Sequence, residues 1–152
     1  MALADRIRSI FGGARTTTYA KSIEYTAIAS VTIPANQPAN SLNPVSIQID
    51  PQQPPVENIR VYPDETWVIE DMFITTAPGV EGVVRVIRNN RDIVFQSNPL
   101  SVYNVNNPAR PGITPIVMYP DELYNFFYVN TSPGQANAIT VTFYLKLRRL
   151  VK

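Results

Sequence analysis

The chain has 152 residues, of which 45% are hydrophobic and 10% aromatic, and its formal net charge is +1. This length and composition predict a single folded domain with a real hydrophobic core, and they exclude disordered and fibrous proteins. The sequence has no cysteine and no histidine, so disulfides, thiolate metal sites and histidine-based catalytic triads cannot form.

The first predicted element is a short amphipathic helix within a basic N-terminal arm, residues 1–20. Its apolar residues fall on one helical face, and glycines at positions 12 and 13 end it. A helix this short is marginal in water, so we expect it to fold on a membrane or on a partner. The apolar face consists of Leu3, Ile7, Ile10 and Phe11, and the basic residues of the arm are Arg6, Arg8 and Arg15.

Nearly everything after the arm is predicted to be β-strand and turn. Residues 21–33 alternate strictly between apolar and mostly polar side chains, which predicts a long strand with one buried face. A connection rich in Pro and Asn leads to a short strand at 45–49, which the sequence PQQPP ends. A brief edge strand is expected at 59–62.

A stronger strand is predicted at 65–76, with Trp67, Ile69 and Phe73 on one face. An exposed tryptophan would offer a platform for sugars, but this phase favours core packing for Trp67.

The second half of the chain continues the pattern of strands and turns. The pair Asn89 and Asn90 tolerates the positive φ angles of a tight hairpin, and residues 97–114 form a long loop rich in Pro and Asn. The strands predicted here span residues 83–87, 93–95, 116–119, 124–130 and 138–150.

A four-residue sequence, Tyr-Pro-Asp-Glu, occurs at 62–65 and again at 119–122. Each copy leads into an aromatic-rich strand that ends in a Pro-Gly turn, so the chain contains two similar hairpin units. Two intertwined units of this kind fit an all-β, antiparallel, eight-stranded jelly-roll sandwich over residues 21–152. The alternative is that the second occurrence of Tyr-Pro-Asp-Glu is a coincidence, because Pro-Asp is common in turns.

The carboxylates of these corners are candidates for metal binding or catalysis. We interpret Asp64 and Asp121 as structural turn caps, because turns favour Asp after Pro. The alternatives are a hard-cation site or a glycosidase-like acid pair. No calcium-loop, phosphate-loop or nucleophile-elbow motif is present, so the sequence predicts no catalytic residue, no cofactor and no metal.

Charge is distributed unevenly along the chain. Residues 1–21 carry a net charge of +3 and residues 146–152 carry +4, which leaves −6 for residues 22–145. Two basic ends on an acidic body predict an oriented molecule whose basic side is attracted to anionic lipid or nucleic acid. The alternative is that the basic ends only aid solubility.

The order of these features resembles the single jelly-roll major capsid proteins of icosahedral viruses that enclose a membrane, notably those of archaea and thermophilic bacteria. The resemblance spans the whole chain and rests on the amphipathic arm, the Asn/Pro-rich sandwich, the paired Tyr-Pro-Asp-Glu corners and the basic last strand. It implies that the jelly roll stands upright in a shell and that subunits join into pseudo-hexagonal capsomers. The terminal segments would reach the inner face of the shell, near lipid.

The resemblance therefore implies a structural coat protein and not an enzyme, assembled in the host cytoplasm and located in the virion. Its partners would be further copies of itself and an inner lipid membrane, with genomic nucleic acid as the second choice. A second coat protein is an optional further partner. One alternative is a phage-type decoration or tail/fibre protein whose arm exchanges between subunits. A more distant alternative is a carbohydrate-binding β-sandwich module.

Overall fold

The computed structural model describes residues 18–152, which form a sandwich of two antiparallel β-sheets. The all-β prediction is confirmed. The described part of the chain contains one single-turn 3₁₀ helix, Leu100–Tyr103, inside the predicted long loop. The strands are β1 (Lys21–Ile33), β2 (Leu42–Pro44), β3 (Ser46–Gln48), β4 (Asn58–Arg60), β5 (Glu65–Phe73), β6 (Gly82–Arg88), β7 (Asp92–Gln96), β8 (Ile116–Met118), β9 (Leu123–Asn130) and β10 (Ile139–Val151).

Strands that are distant in sequence are neighbours in both sheets. Sheet 1 has the order β3-β1-β10-β5-β8, and sheet 2 has the order β2-β9-β6-β7, with β4 also paired to β9. The first and last long strands pair along their whole length, from Lys21 opposite Val151 to Ile33 opposite Ile139. Both termini of the described chain therefore lie at the same end of sheet 1.

Strand β1 begins and ends at the residues that the alternation predicts. From Ala27 onward, every second side chain of the strand faces the core, and Ala27, Ala29 and Ile33 are fully buried. The residues between these buried ones face outward, as the two-residue period of a strand requires.

Strand β5 departs from its predicted phase, and the prediction that Phe73 shares the face of Trp67 is wrong. The pairing of β5 with β10 shifts register at a β-bulge, in which Glu70 is the extra residue. Beyond the bulge, Met72 enters the core. Phe73 lies on the outer face and stacks on Tyr144, with ring centroids 5.2 Å apart.

The hairpin between β6 and β7 confirms the predicted turn. Asn89 and Asn90 adopt φ angles of 52° and 57°, the left-handed pair that is typical of a type I′ turn. The Arg91 amide donates to the Arg88 carbonyl (3.0 Å) and closes this turn.

The core lies between the sheets and is rich in aromatic residues. Its largest fully buried side chains include Tyr124, Tyr128, Phe126 and Phe143. A second, smaller apolar cluster lies on the outer face of sheet 1, where Tyr19 packs against Val68 and Leu150.

Candidate functional site

The predicted membrane- or partner-binding arm residues, Leu3, Arg6, Ile7, Arg8, Ile10, Phe11 and Arg15, lie outside the described residues. The described chain begins immediately before Tyr19, whose hydroxyl lies 2.9 Å from the Thr66 hydroxyl on β5. Because Thr66 and Val68 face outward from sheet 1, the chain enters β1 across the outer surface of that sheet.

The two Tyr-Pro-Asp-Glu corners come together at one end of the sandwich. The Val61 amide donates to the Glu122 carbonyl (3.1 Å), and the Asp121 amide donates to the Val61 carbonyl (2.8 Å). Lys152 follows β10 at the same end, where its amide donates to the Asp64 carbonyl (3.0 Å). We call this the terminal end: it carries both ends of the described chain, both corners and the β6–β7 hairpin.

Main-chain hydrogen bonds close both corners. The Glu65 amide donates to the Tyr62 carbonyl (3.0 Å), and the Glu122 amide donates to the Tyr119 carbonyl (3.3 Å). The second corner also requires a left-handed residue, because Asp121 has a φ of 65°. The side-chain caps that we assign to Asp64 and Asp121 stay a prediction.

The second acid of the first corner has a role that the sequence did not reveal. Glu65 is 3% exposed and accepts hydrogen bonds from the Trp67 indole (2.7 Å) and from Arg149 Nε (2.8 Å), with a second, shorter contact from Arg149 Nη2. The Arg149 guanidinium also lies 5.7 Å from the centre of a Trp67 ring, a cation–π arrangement. The sequence indicates this role only through the position of Glu65, two residues before the only tryptophan of the chain.

Electrostatics at this cluster favour the charged forms. Burial raises the pKa of Glu65, but the hydrogen bonds from Arg149 and Trp67 outweigh it, so the pKa lies below its ordinary value. The hydrogen bond to Glu65 raises the pKa of Arg149, and a hydrogen bond with Tyr25 adds to this effect. The pair is therefore ionised at neutral pH.

The basic last strand is largely neutralised within the molecule. Arg148 Nε lies 2.7 Å from Glu70, and its Nη2 contacts Glu24. With Arg149 held by Glu65, the lysines at 21, 146 and 152 make no ion pair with another residue in the 18–152 region. The terminal end is thus less basic than the sequence alone implies.

The outer face of sheet 2 is mostly apolar. Leu42 and Ile93 are 50% and 57% exposed, and Val94 is also exposed. The register of β2, β9, β6 and β7 places further apolar side chains between them, together with three polar residues, Arg85, Gln96 and Asn125. The apolar residues of this face are Leu42, Pro44, Val83, Ile87, Ile93, Val94, Leu123, Phe127 and Val129.

The outer face of sheet 1 is different in character. Its central rows carry the ion pairs of Arg148 and the exposed Lys146. Its apolar residues form the cluster of Tyr19, Val68 and Leu150 and, separately, one cross-strand row. In that row Ile28 lies opposite Tyr144, and Tyr144 lies opposite Phe73. Hydroxyl side chains occupy the rows toward the far end of β1 and β10.

Two adjoining cavities of about 390 and 380 Å³ open beside the Glu65 cluster. They share four lining residues, of which Tyr62 is the most exposed. We call the combined depression the aromatic groove, lined by Tyr25, Ile47, Ile49, Asp50, Gln53, Pro54, Val56, Asn58, Ile59, Arg60, Tyr62, Trp67 and Arg149. Each cavity is at the small end of the range for ligand pockets.

Within residues 18–152, no three acidic side chains lie close enough together to hold a metal ion. Over that range, no helix is long and apolar enough to cross a membrane.

No protein-family model matches the chain, and no curated protein matches it either.

Proposed function

We propose that this chain is a viral coat protein that self-assembles into an icosahedral shell, and that its sandwich is a jelly roll. The observation that carries the proposal is the contrast between the apolar outer face of sheet 2 and the charged outer face of sheet 1. An apolar surface of this kind on a soluble protein marks an interaction site.

The strand order supports the jelly roll. If β3 and β4 are counted as extensions of β2, eight strands remain. Numbered one to eight in chain order, they run 1-8-3-6 in sheet 1 and 2-7-4-5 in sheet 2. This interleaving of early and late strands is what two intertwined Greek keys produce.

The size of the apolar face favours assembly from many weak contacts. Four strands spaced about 4.8 Å apart, with about five residues each, cover roughly 300 Å². A stable pairwise interface buries about 800 Å² per partner, so one such contact binds weakly. A closed shell repeats the contact many times, and its avidity compensates for the weakness of each contact.

In this proposal the terminal end faces the inside of the shell. Lys21 and Lys152 lie there and are exposed, where they would meet the phosphates of an inner lipid membrane or, as the second choice, of the genome.

A pair of matched variants tests the role of sheet 2. Ile93→Asp adds a charge to its outer face, whereas Ile28→Asp adds one to the outer face of sheet 1, where Ile28 is 39% exposed. We expect light scattering to show that Ile93→Asp raises the protein concentration needed for association at least tenfold, a cost of about 1.4 kcal/mol per contact. Ile28→Asp should associate as the parent chain does.

Equal loss of association in both variants would contradict the role of sheet 2. Circular dichroism and thermal melting of both variants provide the folding control. Association into a small closed oligomer only, with no larger species, would favour the decoration or tail/fibre alternative.

A further inference from the structure

We propose that strand β7 pairs with β7 of a second copy of the chain, so that sheet 2 continues from one molecule into the next. This inference rests on the proposed function and names the surface through which two subunits first join. The contact consists of main-chain hydrogen bonds between two edge strands, related by a two-fold axis.

Three of the four sheet edges within residues 18–152 are short or guarded. At the β3 edge, Ile47 and Val56 exchange two main-chain hydrogen bonds of 2.8 Å, so a returning segment covers this edge. Strands β2 and β4, which share one edge of sheet 2, and β8 have three residues each. Strand β2 ends in Pro44, and β8 directly follows Pro115. Short strands and prolines keep sheet edges from pairing with other chains.

Strand β7 forms the fourth edge and has neither of these guards. It has five residues without a proline, and within the described chain it pairs only with β6. The Ser97 amide, directly after the strand, donates to the Val84 carbonyl on β6 (2.9 Å). Because main-chain groups alternate in direction along an antiparallel strand, the amide and carbonyl of Gln96 point away from β6. They are available to a further strand.

The side chains of β7 also suit a buried edge. The pairing with β6 shifts register at a β-bulge, in which Val94 is the extra residue. A bulge can weaken pairing by twisting an edge, but this one adds Val94 to the outer face beside Ile93, and these two side chains are 37% and 57% exposed. The one charged residue of the strand, Asp92, lies 3.3 Å from Arg88 Nη2. Strand β7 therefore carries no uncompensated charge that would repel a second copy.

A symmetric pair also joins the apolar faces of the two copies. A two-fold axis perpendicular to the sheet places Val94 opposite Val94 of the second copy and Gln96 opposite Asp92, so no like charges meet. Both outer faces of sheet 2 then lie on the same side. Two faces of roughly 300 Å² each become one of about 600 Å², which approaches the roughly 800 Å² that each partner buries in a stable interface.

An engineered disulfide tests the pairing, because the chain has no cysteine. Opposed residues of antiparallel strands have Cα atoms about 4.5–5.5 Å apart, a distance that a disulfide spans. After mild oxidation of the full-length protein, we expect at least ten times more disulfide-linked dimer with Val94→Cys than with Ile28→Cys. Ile28 is the control, because it is 39% exposed and lies in β1, which is not an edge strand. Equal yields would contradict the pairing.

A second substitution separates pairing through the edge from stacking through the outer face. Gln96→Pro, added to Val94→Cys, removes the outward amide and keeps the apolar residues of the face, so we expect at least a tenfold lower yield of linked dimer. Gln96→Ala is the matched control, because it also removes the side-chain contact with Arg85 (3.0 Å) but keeps the amide. An unchanged yield with Gln96→Pro, in a protein whose circular dichroism matches that of the parent chain, would contradict edge pairing.

Charged variants test the register without a proline. Val94→Lys by itself and Val94→Glu by itself place like charges opposite each other, whereas a mixture of the two places opposite charges there. We expect analytical ultracentrifugation to show at least a tenfold weaker dimer for each variant by itself and recovery of the dimer in the mixture. Absence of recovery would contradict the register centred on Val94.

Light scattering on the same samples separates this inference from the proposed function. Larger assemblies that form without the selective Val94→Cys disulfide would contradict the edge pairing and leave the coat proposal standing. The selective disulfide in a species no larger than a dimer would support the edge pairing and contradict the shell.

Discussion

The terminal end of the sandwich holds Glu65 and Arg149 in a partly buried ion pair, whereas the opposite end buries neutral amides. At that opposite end, Asn130 is fully buried. Its Nδ2 donates to the Pro38 and Ser132 carbonyls, both at 3.0 Å, and its Oδ1 accepts from the Ser41 amide at 3.2 Å. The difference predicts that acid and salt affect the stability of the terminal end more than that of the opposite end.

The loops of this opposite end, which we call the loop end, show the same neutrality. They span residues 34–41, 74–81, 97–115 and 131–138, and their only charged residues are Glu81 and Arg110. Arg110 lies 3.2 Å from Asp71, so that charge is also compensated. In a shell whose terminal end faces inward, the loop end would present a nearly neutral outer surface.

The largest expected effect comes from placing a charge at the loop end. Asn130→Asp replaces the Nδ2 donor with an oxygen that faces two carbonyls, so we expect a loss of about 3–5 kcal/mol in unfolding free energy at pH 7. Burial would raise the pKa of this new carboxyl in the folded protein, so stability should fall as the pH rises above about 4. Urea unfolding at pH 4 and pH 7 measures both effects.

Greater stability of Asn130→Asp at pH 7 than at pH 4, relative to the parent chain, would contradict the role of buried amides at the loop end. Asn137→Asp, in an exposed part of the same end, is the matched control and should behave as the parent chain does.

A smaller loss of stability is expected for a substitution at the terminal end, where the contribution of the wild-type carboxylate to stability increases with pH. Glu65→Gln leaves Arg149 without its carboxylate, which should cost about 1–3 kcal/mol at pH 7. The pKa of Glu65 is lowered in the folded state. The pair therefore contributes its full stability above the ordinary glutamate pKa of about 4.3, and this contribution is lost as the pH falls through the lowered pKa.

Thermal melting between pH 2 and pH 7 tests this prediction. The difference between the parent chain and Glu65→Gln should shrink as the pH falls. Glu24→Gln changes a glutamate with a 68% exposed side chain and should have little effect. A difference for Glu65→Gln that persists at pH 2 would show that the glutamate acts through packing and not through charge.

The smallest effect is expected at the corners of the terminal end. Asp121→Ala places alanine at a φ of 65°, which should cost about 1–2 kcal/mol, whereas Asp121→Asn keeps a residue that tolerates this angle. Asp64→Ala should cost about 0.5–1 kcal/mol if the side chain caps its turn, by analogy with helix caps. Chemical denaturation measures these differences in unfolding free energy. An unchanged unfolding free energy for Asp64→Ala would contradict the predicted cap.

Local structure was predictable wherever one residue pattern dominated. The alternation of 21–33 and the Asn89–Asn90 turn are both observed as predicted. The phase of β5 was not predictable, because a bulge depends on how β10 pairs with it and that pairing joins residues far apart in sequence.

The surfaces were harder to predict than the strands. The apolar face of sheet 2 combines Leu42, Phe127 and Ile93 from three separate strands, so no single segment reveals it. Likewise, Glu65 and Arg149 are 84 positions apart. The sequence showed the basic last strand, but not the glutamates that neutralise it.

Electron microscopy of the purified full-length protein across a range of salt and protein concentrations tests the coat proposal most directly. We predict rings, sheets or shell fragments whose repeating unit is formed through the outer face of sheet 2, with their yield increasing with protein concentration. Uniform monomers at millimolar concentration under every salt condition would contradict the proposal.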